Sequence, residues 1–345
     1  MTDSYKPIIF PQDEKPHEKI IEWWYFNGHL WDEKNNQYPF MHCLFKANAK
    51  KVKLPLMIKS PLKNLYFEHS MISDVSQEKF HSIVNPICLP LPDHNVAPLL
   101  FNHYWNTPKD ISHLIETKPF YYHLKTKNIN LFFESTKKPM LENQTGFIDL
   151  GNNRTTWYYS LSNLKTQGHI KIENTWLPVT GKSWHDHQWA DAPYKKDFWL
   201  WFCLQLENDT EIVCFEYGRE TKTRLATIMD KNCVQQTFPV KIISEGENWI
   251  SKTTGASYPL QWKIKIPQAK IEIVVKSLTK NQEMLYGPIN YWEGGLGVQA
   301  VINGQNINGF GFAELVGMET KKKFTEIYRE QLTKKIVAKW KNFKL

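Results

Sequence analysis

Short apolar runs alternate with turn-forming residues over most of this chain of 345 residues. Aromatic and β-branched side chains fill 22–30, 38–47, 66–75, 121–126, 130–135, 155–160 and 169–172. Polar turn signals separate them at 32–37, 73–78, 143–146 and Asn152-Asn153. The rhythm resumes at 198–206, 211–217, 224–229, 236–244 and 270–277. Many short strands spaced by turns predict an all-β sandwich or barrel, and exclude a doubly wound α/β sheet. Asn303-Gly304 predicts a tight type I′ hairpin near the end of this pattern.

Three segments depart from the rhythm. Residues 1–20 are polar, carry Pro7, Pro11 and Pro16, and are expected to form an irregular lead-in. In 83–119, Pro86, Pro90, Pro92, Pro98, Pro108 and Pro119 punctuate an apolar stretch. That composition predicts a long loop, serving either as a lid or portal or as packing outside a sheet. From 319 to 345, Phe324, Tyr328, Leu332, Ile336 and Trp340 recur every four residues, as in an amphipathic helix.

The length suggests about two domains. We expect domains at 21–190 and 197–317, joined across 190–196, which contains Pro193. A composition of 41% apolar and 23% charged residues is that of a globular protein, and no run approaches a membrane span. The 14 Trp imply an aromatic-lined cavity or an aromatic β core.

Charge changes the picture in one place. Of the net +8, residues 319–345 contribute nine Lys or Arg against three Glu. The basicity therefore belongs to the tail, and nucleic acid is not an expected partner. The five cysteines are odd in number and form no CxxC, so neither a disulfide framework nor a zinc ribbon is expected. The first residues lack an apolar signal core, which makes a cytoplasmic location the default.

A lone tail helix is marginal in water, so its apolar stripe needs a surface. Its own barrel is one such surface and an anionic membrane the other, since Lys with Trp and Phe suits that interface. If the stripe docks on the barrel, deleting 319–345 lowers the melting temperature and leaves liposome co-sedimentation unchanged. Salt-sensitive co-sedimentation that the deletion abolishes identifies the membrane instead.

The densest chemistry lies at 181–189, Gly-Lys-Ser-Trp-His-Asp-His-Gln-Trp. It lacks the spacing of a phosphate loop. As a strand it puts Trp184, Asp186 and Gln188 on one face and His185, His187 and Trp189 on the other. Asp186 and His187 are then either a buried structural pair or a general acid in an aromatic pocket. A metal reading would use His185 and His187, but a site needs three or four ligands, and no nearby Glu or Cys has telling spacing. Glu22 precedes Trp23-Trp24, as a surface acid or as a carboxylate at a cavity mouth.

Three motifs recur together in one known group. They are Glu22-Trp23-Trp24-Tyr25-Phe26-Asn27-Gly28-His29-Leu30, Gly181-x-x-Trp184-x-Asp186-His187-Gln188-Trp189, and Tyr291-Trp292-Glu293-Gly294 with Glu314-Leu315-x-Gly317. The strand at 67–75 and Gly255-x-x-Tyr258-Pro259-x-x-Trp262 accompany them. Over about residues 15–317 the chain resembles the AttH-like, carotenoid 1,2-hydratase family of lipocalin-like proteins. The sequence departs at Ala190, where the family often has Gly, and at Lys46, where Arg is common.

The resemblance implies two tandem lipocalin-like antiparallel β-barrels binding a small apolar ligand, either isoprenoid, polyene or lipid-like. It implies hydration or cyclisation by acid–base chemistry, with no cofactor and no metal. Asp186 and His187 are the first candidates for acid and water-activating base, with Glu22, Tyr291 and Glu293 next. Trp23, Trp24, Trp184, Trp189 and Trp292 are candidates for the ligand-binding wall. In a regular strand Asp186 and His187 point oppositely, so a bulge is needed for both to face one pocket. A non-catalytic carrier of the same ligand, or an interaction protein with a filled barrel, would share these features.

Overall fold

The computed structural model describes residues 5–51, 63–90, 98–103, 111–151, 154–191, 198–219, 222–286, 289–323 and 325–327. They are nearly all β. The first sheet contains β1 (Ile21–Trp31), β2 (Gln37–Asn48), β3 (Asn64–Asp74), β4 (Lys79–Pro90), β5 (Pro98–His103) and β6 (Ile111–Lys118). It continues with β7 (Tyr121–Lys125), β8 (Ile129–Ser135), β9 (Met140–Leu141), β10 (Phe147–Asp149), β11 (Thr155–Ile172) and β12 (Thr175–Ala190). The second sheet contains β13 (Trp199–Leu206), β14 (Glu211–Tyr217), β15 (Thr223–Met229), β16 (Gln235–Pro239) and β17 (Lys241–Ile250). It ends with β18 (Ser257–Ile266), β19 (Ile271–Ser277), β20 (Glu283–Tyr286), β21 (Ile289–Ile302) and β22 (Gln305–Val316).

All described pairings are antiparallel. In the first sheet β11 pairs with both β12 and β8, so the order β11-β12-β1-β2-β3-β4-β5-β6-β7-β8 closes on itself as a barrel. Closure removes the exposed strand edges that an open sheet must protect. The second sheet runs β16-β15-β14-β13-β22-β21-β19-β18-β17 and curls without a described ladder between its ends. The β21–β22 hairpin turns through Asn303 and Gly304 at φ 50° and 81°, the left-handed pair that a type I′ turn requires.

The segment 83–119 corrects the expected loop: within it, β4, β5 and β6 pair in succession and complete the barrel wall. Sheet geometry absorbs the prolines. Pro90 ends β4 and Pro98 begins β5, where a missing N–H costs least. Pro86 lies where the β3–β4 register shifts, between Tyr66↔Cys88 and Glu68↔Asn85, so a bulge accommodates it. Of the tail helix expected over 319–345, residues 319–323 are not helical and 325–327 are, with Ile327 buried, while Phe324 and 328–345 lie outside the described residues.

Among the described residues, apolar side chains form three clusters. One fills the first barrel around Phe26, Phe40, Leu131 and Phe133. A second fills the curl of the other sheet around Phe202, Ile264, Ile273 and Trp292. The third lies between the sheets and joins Tyr25, Met41, Tyr158 and Trp184 to Trp201, Phe215, Tyr291 and Phe312. Full burial of each such large side chain stabilises by roughly 1.5–3 kcal/mol, so this joint is a core in its own right. Buried polar contacts fix its register. His29 Nε2 lies 2.7 Å from the Gly311 carbonyl, and Lys137 Nζ lies 2.6 Å from Glu211 Oε2. A Cβ added at Gly295 would meet Pro39 Cβ at 2.6 Å, so only glycine allows the sheets to approach this closely there.

The lead-in is not merely irregular. It plugs one mouth of the first barrel. Phe10 packs edge-on against Tyr159 at 4.9 Å, and Trp157 Nε1 donates to the Lys6 carbonyl at 3.0 Å. The buried Glu14 carboxylate receives the hydroxyls of Tyr122 and Tyr159. The barrel interior is therefore occupied by the protein's own side chains, and the open space lies elsewhere.

Candidate active site

That space is a cavity of about 180 Å³ between the two sheets. Against roughly 10–15 Å³ for one water, it takes a small apolar group with water beside it. Trp23, Tyr25, Phe45 and Phe67 wall it from the first sheet, and Trp199, Trp201, Phe215 and Tyr291 from the second. Two carboxyls enter this aromatic box, Asp186 from β12 and Glu314 from β22.

Strand alternation accounts for Asp186. β12 pairs in regular register with β1 from Ala190 to Thr180, so Trp184, Asp186 and Gln188 face the joint. The only irregularity here is in the neighbouring strand, where β11 shifts between Leu161↔His185 and Leu164↔Ser183. Asp186 accepts three bonds: from Trp184 Nε1 at 2.6 Å, Ser160 Oγ at 2.6 Å and the Tyr158 hydroxyl at 2.6 Å. Trp201 Nε1 donates to that hydroxyl at 2.8 Å, so the second sheet holds a group that the first presents. Burial pushes the Asp186 carboxyl up to about 7, and the three donors oppose the shift.

Glu314 pairs across strands with Glu293 and on its other side with Trp201. Burial raises its carboxyl to about 8, opposed by a hydrogen bond from Trp199 and reinforced by the Asp186 charge. Glu293 is pushed further up by burial and by Glu314, and it accepts the Tyr25 hydroxyl at 3.0 Å. Adjacent buried carboxyls cannot all ionise, so the cluster retains protons at neutral pH. On the opposite wall, burial lowers the His69 imidazole to about 3, and it bonds the Tyr291 hydroxyl through Nδ1.

Behind Asp186 lies a carboxyl with no counterpart in the sequence reading. Glu142 is fully buried, and Ser160 Oγ lies 3.1 Å from its Oε1 as well as 2.6 Å from Asp186 Oδ1. Ser160 has one proton to donate. Burial and the Asp186 charge push the Glu142 carboxyl well above its usual range. A protonated Glu142 then donates to Ser160, and Ser160 to Asp186.

The other candidates divide between two places. Trp23, Asp186 and Tyr291 line the cavity, Trp184 supports Asp186, and Glu293 sits behind Tyr25. Glu22, Trp24, His187 and Trp189 face the first barrel instead. There His187 Nε2 lies 2.9 Å from Glu22 Oε1, Trp24 stacks on His187 at 4.8 Å, and Trp189 stacks on His17 at 3.8 Å. This corrects the pairing of Asp186 with His187: no bulge separates them, so they stay on opposite faces. Trp292 is buried in the second sheet's core, where its Nε1 donates to the Lys280 carbonyl at 2.9 Å, rather than in the ligand wall. Sequence reasoning named Glu314 only within a motif, not as a site residue, and missed Tyr158, His69, Trp199 and Trp201. Glu314 carried a usable signal, an acid inside the apolar run 309–317.

Two curled antiparallel sheets, meeting around an aromatic cavity with buried acids, define a lipocalin-like β protein. The chain belongs to the AttH-like family, whose model matches residues 2–318. It is 26% identical over 165 residues to "Dehydratase asqC" of Emericella nidulans, covering 44% of this chain and 47% of that protein. The chain thus spans about half the length of that curated relative. An AttH crystal structure from Nitrosomonas europaea matches at a TM-score of 0.74, with 21% identity over 92% of this chain and 99% of the other. Kievitone hydratase from Nectria haematococca matches at 0.71, with 17% identity over 90% and 93%.

Proposed function

We propose that the protein adds water to, or removes it from, a small apolar ligand of isoprenoid, polyene or lipid-like character, in the cavity between its sheets. The observation that carries this reading is the pair Asp186 and Glu314, two carboxyls raised to about 7 and 8 that face one aromatic-walled space. The hydratase and dehydratase among the similar proteins support it.

The two acids differ in the way such chemistry needs. Asp186 has three donors that favour its carboxylate, whereas Glu314 has the Trp199 bond and the field of Asp186. In hydration, Glu314 gives its proton to one alkene carbon, leaving a cation on the other. Faces of Trp23, Trp201 and Tyr291 stabilise that cation and exclude bulk water. Water then adds to the cationic carbon and its proton passes to Asp186. Dehydration is the reverse: Asp186 protonates the departing hydroxyl and Glu314 takes the C–H proton. One proton held between two carboxyls serves both directions, and the scheme calls on no cofactor.

The direct test is incubation with a lipid extract followed by mass spectrometry. A ligand that gains or loses the mass of one water, with wild type but not Glu314→Gln, is the expected result. A ligand retained unchanged by both proteins makes the chain a carrier. The pH dependence follows from both acids, since hydration needs Asp186 ionised and Glu314 protonated. Rates rise as pH climbs through about 7 and fall as it climbs through about 8, where Glu314 loses its proton. A rate that stays flat to pH 10 removes Glu314 as the acid.

A further inference from the structure

The face of β12 that points away from the cavity carries a second constellation. One ligand atom each from His17, Glu22 and His187 lies within 4.8 Å of the other two. Glu22 Oε1 is 2.7 Å from His17 Nδ1 and 2.9 Å from His187 Nε2. Glu22 and His187 are fully buried, and His17 is 17% exposed at the plugged mouth of the barrel.

We propose that His17, Glu22 and His187 form a binding site for a divalent ion of the zinc class, which clips the lead-in to β1 and β12. Two imidazoles and a carboxylate are a donor set suited to a borderline ion, with a fourth position left to water. Their surroundings match those of metal-binding histidines, whose distal nitrogen is usually held by a carboxylate, a carbonyl or water. His17 Nε2 lies 3.1 Å from Asp13 Oδ1. His187 Nδ1 lies 3.2 Å from the Tyr159 hydroxyl, which also bonds Glu14. Stacking fixes both rings, His17 on Trp189 and His187 on Trp24. Lys46 Nζ and the His17 backbone N–H take Glu22 Oε2 at 2.8 and 2.9 Å, while Oε1 faces both imidazoles and meets the same N–H only at 3.1 Å, which makes it the ligand atom. The Lys46 charge weakens the site, so a Lys46→Gln variant should bind more tightly.

Distance in sequence conceals this trio, because Glu22 and His187 meet only through the β1–β12 pairing, where Trp24↔His187 brings them across adjacent strands. The inference is independent of the proposed reaction, since these residues face the first barrel and not the cavity.

The test is calorimetric titration of the full chain with Zn2+ and then Co2+. One ion per chain, a raised melting temperature and the visible bands of four-coordinate Co2+ are expected. His17→Gln, at the partly exposed ligand, should lower affinity at least tenfold, since loss of even an outer-shell partner costs about that much. Zinc X-ray absorption on the loaded wild type, which needs no variant to fold, should read two imidazole nitrogens. Failure of stoichiometric Zn2+ to bind, an affinity unchanged in His17→Gln, or a spectrum with fewer than two imidazoles overturns the proposal.

Discussion

Asp186→Asn is expected to lower turnover by roughly 10²–10⁴-fold, the range over which a positioned acid or base contributes, while the ligand still binds. The substitution is nearly isosteric. Oδ1 still accepts from Trp184 and Ser160, and the new amide meets the Tyr158 hydroxyl, which can accept its hydrogen. The Tyr158 hydroxyl loses its own acceptor, a cost of about 1–3 kcal/mol that a protein of this size survives. Kinetics and ligand binding measured on the same folded sample separate the readings. Turnover lost with binding kept makes Asp186 a catalytic residue. Full activity removes it from the reaction, and loss of binding makes it a determinant of ligand recognition. His187→Gln faces the other side of β12, so any loss it causes should track a lowered melting temperature and not the turnover of the protein that remains folded.

The contrast between these two neighbours shows what was legible in the sequence. Period-two alternation placed Asp186 with Trp184 and His187 with Trp189, and that division holds because β12 pairs regularly with β1. Alternation cannot say what lies across either face. The groups that make Asp186 useful come from β11 and β13, in Ser160, Tyr158 and Trp201, and sequence proximity to the motif does not mark them. Motif density drew Glu22 and Asp186 toward one imagined pocket, yet they occupy opposite faces of the same pair of strands. The prolines of the lead-in mark irregular backbone correctly but do not reveal that Glu14 and Phe10 enter a barrel mouth. Pro86 misled for a related reason. A proline argues against a regular strand, and the bulge that tolerates it appears only in the β3–β4 register. Strand rhythm and family motifs, which depend on local composition, were sufficient for the all-β fold.

Glu142 supplies the last expected result. It is fully buried, and burial together with the Asp186 charge holds its carboxyl protonated well above its usual range. In the unfolded chain it ionises near pH 4.3. Its folded value is raised, so the stability it offers is full below that unfolded value and declines as pH climbs toward the folded one. At pH 8 the wild type therefore carries a cost that Glu142→Gln lacks. The amide keeps the hydrogen-bonding pattern, since its N–H can donate to Ser160 as the protonated acid does. The variant should be more stable than wild type at pH 8, on the order of 1–3 kcal/mol by the cost of a poorly satisfied buried polar group. The advantage should shrink toward zero near pH 4, where both folded and unfolded wild type are protonated. Denaturant melts at the two pH values decide it. An equal difference at both means packing and not ionisation governs the site. A variant less stable at pH 8 means Glu142 is ionised in the fold, and the relay through Ser160 to Asp186 must then run without its proton.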